Sequence, residues 1–179
     1  MQRRSLVGRL ILWIYVFYLS KYYELLDTVI LLLKGRPLIF LHWYHHFITL
    51  LLVWACLMYG PPLTPLVSCA NCAVHVFMYY YYMRAARGKP ADKKFNETYK
   101  ELVTSSQIVQ FLIDELLSVL YIVAEYRTNW SCSGKEPTLF GIVVITSFLL
   151  LFMSFYAKNY GRKFFSRASR EAEAAQKKM

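Results

Sequence analysis

The chain has 179 residues, of which 57% are hydrophobic, 17% aromatic and 18% charged. That balance is too apolar for a soluble domain of this size. A formal net charge of +10 does not indicate nucleic acid as a partner, because the basic residues fall in loops and at the C-terminal end and are not interleaved into a groove-reading element.

Taken in chain order, the apolar residues form five runs long enough to cross a bilayer, each of about 18 residues or more with few charges. The first covers approximately residues 10–33 and is interrupted by Lys21, Glu24 and Asp27. Arg3 and Arg4 before Leu10–Leu19 look like the start of a signal peptide, but no small-residue cleavage site follows, so the run reads as an uncleaved span. Gly35 and Pro37 break it from the second span, 38–59, which carries His42, His45 and His46. Gly60-Pro61-Pro62 makes the next turn, and the third span, 63–83, carries Asn71 and His75. The stretch from Arg84 to Glu101 is polar and basic and is the longest expected connection, with Phe95–Glu101 starting the fourth helix. The fourth span, 102–124, is interrupted by Gln107, Gln110, Asp114 and Glu115. The fifth, 139–157, leads into a basic tail, 158–179.

These elements predict an all-α fold: a single membrane-embedded domain over 1–179, built as a polytopic helix bundle of five transmembrane helices. Lys34, Arg36, the basic 84–100 connection and the tail fall on one side, which the positive-inside rule places in the cytosol together with the C-terminus. Arg3, Arg4 and Arg9 fall on the other side. The sequon Asn129-Trp-Ser131 is then lumenal and open to glycosylation, and Asn96-Glu-Thr98 is cytosolic. The four cysteines form neither a metal pattern nor a disulfide framework.

The polar residues inside the spans keep helical register. His42, His45 and His46 stand at i, i+3 and i+4, on one helix face. Lys21, Glu24 and Thr28, with Asp27 beside them, make a second stripe; Asn71 and His75 make a third; Thr104, Gln107 and Gln110 make a fourth. Measured from the basic loops at a rise of about 1.5 Å per residue, His45 and His46 lie about 7–10 Å deep, Asp27 and Gln107 about 10 Å, His75 about 13 Å, and Glu24 and Gln110 about 15 Å. Four spans therefore deliver polar groups to one layer, which predicts a polar chamber in the cytosolic half. Buried singly, His75, Asn71 and the glutamines read as interhelical hydrogen-bonding residues, and Lys21, Glu24 and Asp27 as a structural network. Three histidines at bilayer depth cost too much to be filler.

Two chemistries suit that cluster. Imidazole is the commonest metal ligand, so His42, His45, His46 and His75 could hold one metal and act on lipid as an oxidase. Alternatively, a desolvated imidazole stays neutral and nucleophilic and can take an acyl group from a thioester. Cys72, one turn before His75, is a rival nucleophile. A polytopic transport or binding protein, holding a ligand without chemistry, is the reading from a different class.

The motifs resemble one family. Lys21-Tyr-Tyr-Glu24-Leu-Leu-Asp27-Thr28, His42-Trp-Tyr-His45-His46, Asn71-x-x-x-His75-x-x-Met78-Tyr79-x-Tyr81-Tyr82 and Thr104-x-x-Gln107-x-x-Gln110 are similar, in order, to the conserved elements of the ELO very-long-chain fatty acid elongases. The resemblance implies a 3-oxoacyl-CoA synthase of the endoplasmic reticulum that condenses acyl-CoA with malonyl-CoA, needing no cofactor and no metal. It implies His45 as the acyl-carrying nucleophile, with His75 handling a proton or the oxyanion and His42 and His46 orienting. Asn71, Gln107 and Gln110 are implied to stabilise an oxyanion, and Lys21, Glu24, Asp27 and Thr28 to brace the chamber. Implied partners are acyl-CoA, malonyl-CoA, membrane lipids, and contacts with other elongation-cycle enzymes or a second copy; nucleic acid is not among them. Family members have seven spans, six of them around an acyl tunnel, so the first two are expected to be absent here and one tunnel wall to be missing. Cys132 is expected to be free.

Overall fold

The computed structural model describes residues 2–87, 92–128 and 134–176. All regular structure in them is helical: α1 (Gln2–Leu33), α2 (Phe40–Tyr59), α3 (Thr64–Ala86), α4 (Asp92–Thr128) and α5 (Lys135–Gln176). The helices outrun the expected spans at the basic end. The long connection expected after Arg84 is mostly helix, since α3 runs to Ala86 and α4 starts at Asp92. The sequon at Asn129 and the cysteine at Cys132 lie outside the described residues.

The turns end the helices for local reasons. Gly35 has φ 61°, and the Gly35 and Arg36 N–H groups donate back to Leu32 and Leu31 carbonyls at 2.9 and 3.0 Å, a left-handed stop that glycine adopts without penalty. Gly60 repeats the device after α2, at φ 61° and ψ 47°, with its N–H on the Cys56 carbonyl. Pro61 and Pro62 then cannot extend the helix. Gly134 has φ 101°, and a Cβ there would stand 2.7 Å from Pro61 Cα. The start of α5 therefore rests backbone to backbone on the α2–α3 turn and closes this proline end.

Each helix packs mainly on two others, and the order around the bundle is α1–α2–α5–α4–α3, with α3 returning to α1. Consecutive helices α2 and α3 thus stand on different arcs of a ring, and the ring encloses space. Helices α1 and α3 meet, and polar side chains join them. Their contact is nonetheless the thinnest seam of the ring. The opposite wall is apolar. Phe111 of α4 and Val144, Ile145, Phe148 and Phe152 of α5 form a buried cluster, backed by Tyr44, Ile48 and Leu52 of α2.

The fold is inside out relative to a soluble protein. Lys21 and Asp114 are 2% exposed and Gln110 6%, whereas Trp13 is 68% exposed and Leu33 82%. Such burial is the arrangement of a membrane helix bundle, where polar groups turn away from lipid. Among the described residues three helical segments are long and apolar enough to cross a membrane: Phe40–Tyr59, Thr98–Arg127 and Lys135–Gly161. Five were expected. Helices α1 and α3 have the length, but α1 carries Lys21, Glu24 and Asp27 and α3 carries Asn71, His75 and the tyrosines 79–82.

Candidate active site

The first turns of α2 build the centre of the site. His42 and His46, one turn apart, have ring centroids 4.5 Å apart, and His45 lies 5.7 Å from His46. His45 points across the ring to the apolar wall, 4.6 Å from the ring of Phe148, 5.9 Å from Phe152 and 6.1 Å from Phe111. Three aromatic rings thus fix one imidazole, yet its Nδ1 is buried without a hydrogen-bond partner. His42 Nε2 is likewise buried and unpartnered. Polar atoms in that state inside a protein call for a ligand or water.

The α1–α3 seam supplies the second part. Lys21 Nζ donates to Glu24 Oε1 at 2.7 Å and to Asn71 Oδ1 at 2.7 Å, and lies 4.3 Å from the centre of the Phe17 ring. Because an ammonium can only donate, it fixes the orientation of the Asn71 amide and leaves Nδ2 to donate elsewhere. His75 Nδ1 stands 3.5 Å from Glu24 Oε1 without an aligned hydrogen bond. Tyr79 O–H donates to Asp27 Oδ2 at 3.3 Å. Thr28 is buried and its hydroxyl unpartnered.

Helix α4 supplies the third. Gln110 Nε2 donates to Asp114 Oδ2 at 3.0 Å, so the glutamine is pinned by a carboxylate one turn on, and one of its N–H groups is committed there. Thr104 Oγ1 bonds back to the Lys100 carbonyl at 3.1 Å, a local partner that leaves Gln107 as the free polar group of that stripe.

Two voids lie inside the ring. The larger, about 650 Å³, opens at the basic end and is lined by His42, His45, His46, His75, Gln107 and Asp27, together with Lys100 and the tyrosines 79, 81 and 82. The narrower, about 100 Å³, runs to the proline end between apolar residues such as Leu52, Val53, Phe111 and Phe148, and meets Asn71, Gln110 and Asp114 on one side and Gly141 and Pro61 further along. Among the described residues, His45 alone lines both.

The four expected stripes therefore do converge, but not on one chamber. The histidines, Gln107 and Asp27 face the polar void, Asn71 and Gln110 face the slot, and Lys21 and Glu24 stand behind both as the link between α1 and α3. Sequence reasoning passed over Lys100, although it continues the Thr104–Gln107 face one turn back. It also passed over the phenylalanines around His45, whose signal is identical to that of lipid-facing ones. Among the described residues, no three His, Cys, Asp or Glu side chains converge as the ligands of a metal would.

The helical ring of this membrane bundle holds a histidine-lined polar chamber and an apolar slot that share His45. The profile of the ELO (GNS1/SUR4) family matches residues 2–168, and the chain belongs to that family. It is 42% identical over 153 residues to fatty acid elongase A of Dictyostelium discoideum, covering 83% of this chain and 54% of that protein. It is 38% identical over 155 residues to long chain fatty acid elongase 1 of Caenorhabditis elegans, covering 83% and 50%. It is 32% identical over 167 residues to fatty acid elongase 3 of Trypanosoma cruzi, covering 93% and 55%. The chain spans about half the length of the curated relatives it matches. No solved structure matches significantly.

Proposed function

We propose that this chain carries the condensing site of a fatty acid elongase, joining a long-chain acyl-CoA to malonyl-CoA to give 3-oxoacyl-CoA, carbon dioxide and CoA. The observation that carries the reading is the position of His45 as the one described residue shared by the polar void and the apolar slot. A thioester carbonyl held at that junction has its hydrocarbon in the slot and its CoA in the open chamber.

The imidazole of His45 attacks the acyl carbonyl. The C–S bond breaks, and the proton from the ring's other nitrogen goes to the departing thiolate. The acyl group now sits on nitrogen. Malonyl-CoA enters from the chamber and loses carbon dioxide, the C–C bonding pair becoming a thioester enolate. Its carbon attacks the acyl carbonyl, the C–N bond breaks, and the imidazole recovers its proton from chamber water. Asn71, held by Lys21 so that its N–H₂ is available, and Gln107 are suited to donate to oxygens that become negative during these steps. His75 and His46 flank the same void, and His42 supports His46. The relatives' names as fatty acid elongases and the apolar exterior support a lipid substrate. The distribution of Lys and Arg supports a cytosolic basic end and C-terminus, and the family resemblance supports the endoplasmic reticulum as the membrane.

The test is extension of palmitoyl-CoA by radiolabelled malonyl-CoA in membranes carrying the expressed chain. Product two carbons longer supports the reading. Its absence at verified protein levels overturns it. His45→Ala is expected to remove product, by a factor of about a thousand or more if covalent transfer is lost, whereas Cys72→Ser leaves most of it. The reverse pattern transfers the nucleophile to Cys72.

A further inference from the structure

Gly141 occupies an interior turn of α5, where glycine is less favourable than alanine. The usual reasons for tolerating it do not apply. Its backbone is ordinary helix, and a Cβ built there would meet only Leu52 Cδ1, at 3.7 Å, an ordinary van der Waals contact. No neighbouring helix comes close enough to demand the missing side chain. The residue is buried, and the space in front of it belongs to the slot.

Its depth follows from the helix rise. Phe148, the ring nearest His45, is seven residues further along α5, so Gly141 stands about 10 Å beyond the His45 level. Leu52 is seven residues past His45 on α2 and marks the same depth. Pro137 lies one turn further, about 16 Å from His45, and the Gly134–Pro61 contact that ends the slot lies about 21 Å from it by the same rise. Gly141 therefore stands about halfway down the slot, facing Leu52 across it, where an added side chain would enter the open space.

We propose that Gly141 determines how long an acyl chain the site accepts, by leaving the slot open past Leu52 toward the Pro61–Gly134 floor. The assignment rests on the condensing function argued above and specifies its substrate range. A branched side chain at this position blocks the lower half of the slot, so longer primers lose their fit while shorter ones keep more of theirs.

The experiment offers membranes carrying the full chain a series of primers from decanoyl-CoA to stearoyl-CoA with radiolabelled malonyl-CoA, for the unchanged sequence and for Gly141→Ala, Gly141→Val and Gly141→Leu. The expected result is a graded move of the preferred primer toward shorter chains. The stearoyl-to-decanoyl rate ratio should fall about tenfold or more in Gly141→Leu, the scale on which an apolar pocket discriminates a methylene or two. Alanine, which favours the helix and fits beside Leu52, secures a folded variant and should show the smallest move in the same direction. Primer profiles that superimpose across the series, in chains that do elongate, overturn the role of Gly141 alone. No elongation of any primer by the unchanged chain overturns the condensing function, and this inference with it.

Discussion

The two sides of the ring are held by different physics. The α2–α4–α5 wall is a volume solution: Phe111, Phe148 and Phe152 interlock with centroids 5.1–5.7 Å apart, and His45 is seated among them. The α1–α3 seam is a charge solution: one ammonium stands 2.7 Å from a carboxylate and 2.7 Å from an amide oxygen. In lipid, apolar burial between helices gains little over contact with acyl chains. Shape then holds the wall, and satisfied polarity holds the seam. The wall grips the imidazole that is proposed to react, and the seam sets the amide and the second imidazole opposite it.

That contrast is broken most strongly at Lys21. Lys21→Met leaves Glu24 buried without its cation and Asn71 Oδ1 without its donor. Removing one partner of a buried pair costs about 3–5 kcal/mol, read as a fall in thermal stability of the detergent-solubilised protein. The second substitution is the sharper test. Lys21→Met with Glu24→Gln should recover roughly half of the loss, because the uncompensated charge is gone while the Asn71 oxygen is still unpaired. If the double variant is no better than the single, the seam is held by packing and the contrast fails.

The wall predicts the opposite pattern. Phe148→Ala, at a side chain 2% exposed, leaves a void between Phe111, Phe152 and His45. A loss of about 3 kcal/mol is expected, together with weaker condensation, since His45 loses its nearest ring. Recovery here needs volume and not charge: Phe148→Leu should regain a good part of the stability, and no change at Glu24 should regain any. Recovery of Phe148→Ala by a seam substitution would show that the two walls are not separate units.

The sequence made the seam far more legible than the wall. Lys21, Glu24, Asn71 and His75 announce themselves, because a charge or an amide in a span has few places to go, and helical spacing then fixes its face. The histidine cluster was legible for the same reason. Phenylalanines carry no such information: Phe111 turns inward at 5% exposure and Phe140 outward at 41%, and both sit in equally apolar runs. The division into two voids was hidden as well, since depth along a helix is set by spacing but the ring order α1–α2–α5–α4–α3 is set by tertiary packing. The same limit explains Asp114, visible as an odd acid in a span but interpretable only once Gln110 was found against it. Gly141 looked like any glycine in an apolar run until its empty front was located in the slot.

The smallest test concerns a polar link between α2 and α5. Tyr44 O–H and Ser147 Oγ are 2.9 Å apart, joining α2 to α5. The Tyr44 ring stacks on Phe40 at 5.2 Å and meets Phe148 edge-on at 5.8 Å, so Tyr44→Phe removes the hydroxyl and keeps the shape. Ser147 retains its second partner, the Val144 carbonyl at 2.7 Å, and no donor is stranded. Interhelical hydrogen bonds in membranes average about 0.6 kcal/mol, and that figure or less is the expected loss in a denaturant titration of the reconstituted protein. A loss above about 2 kcal/mol would mean that polarity, and not ring packing, holds α2 to α5. His45 would then owe its place to the Tyr44–Ser147 hydrogen bond and not to the phenylalanines that touch it.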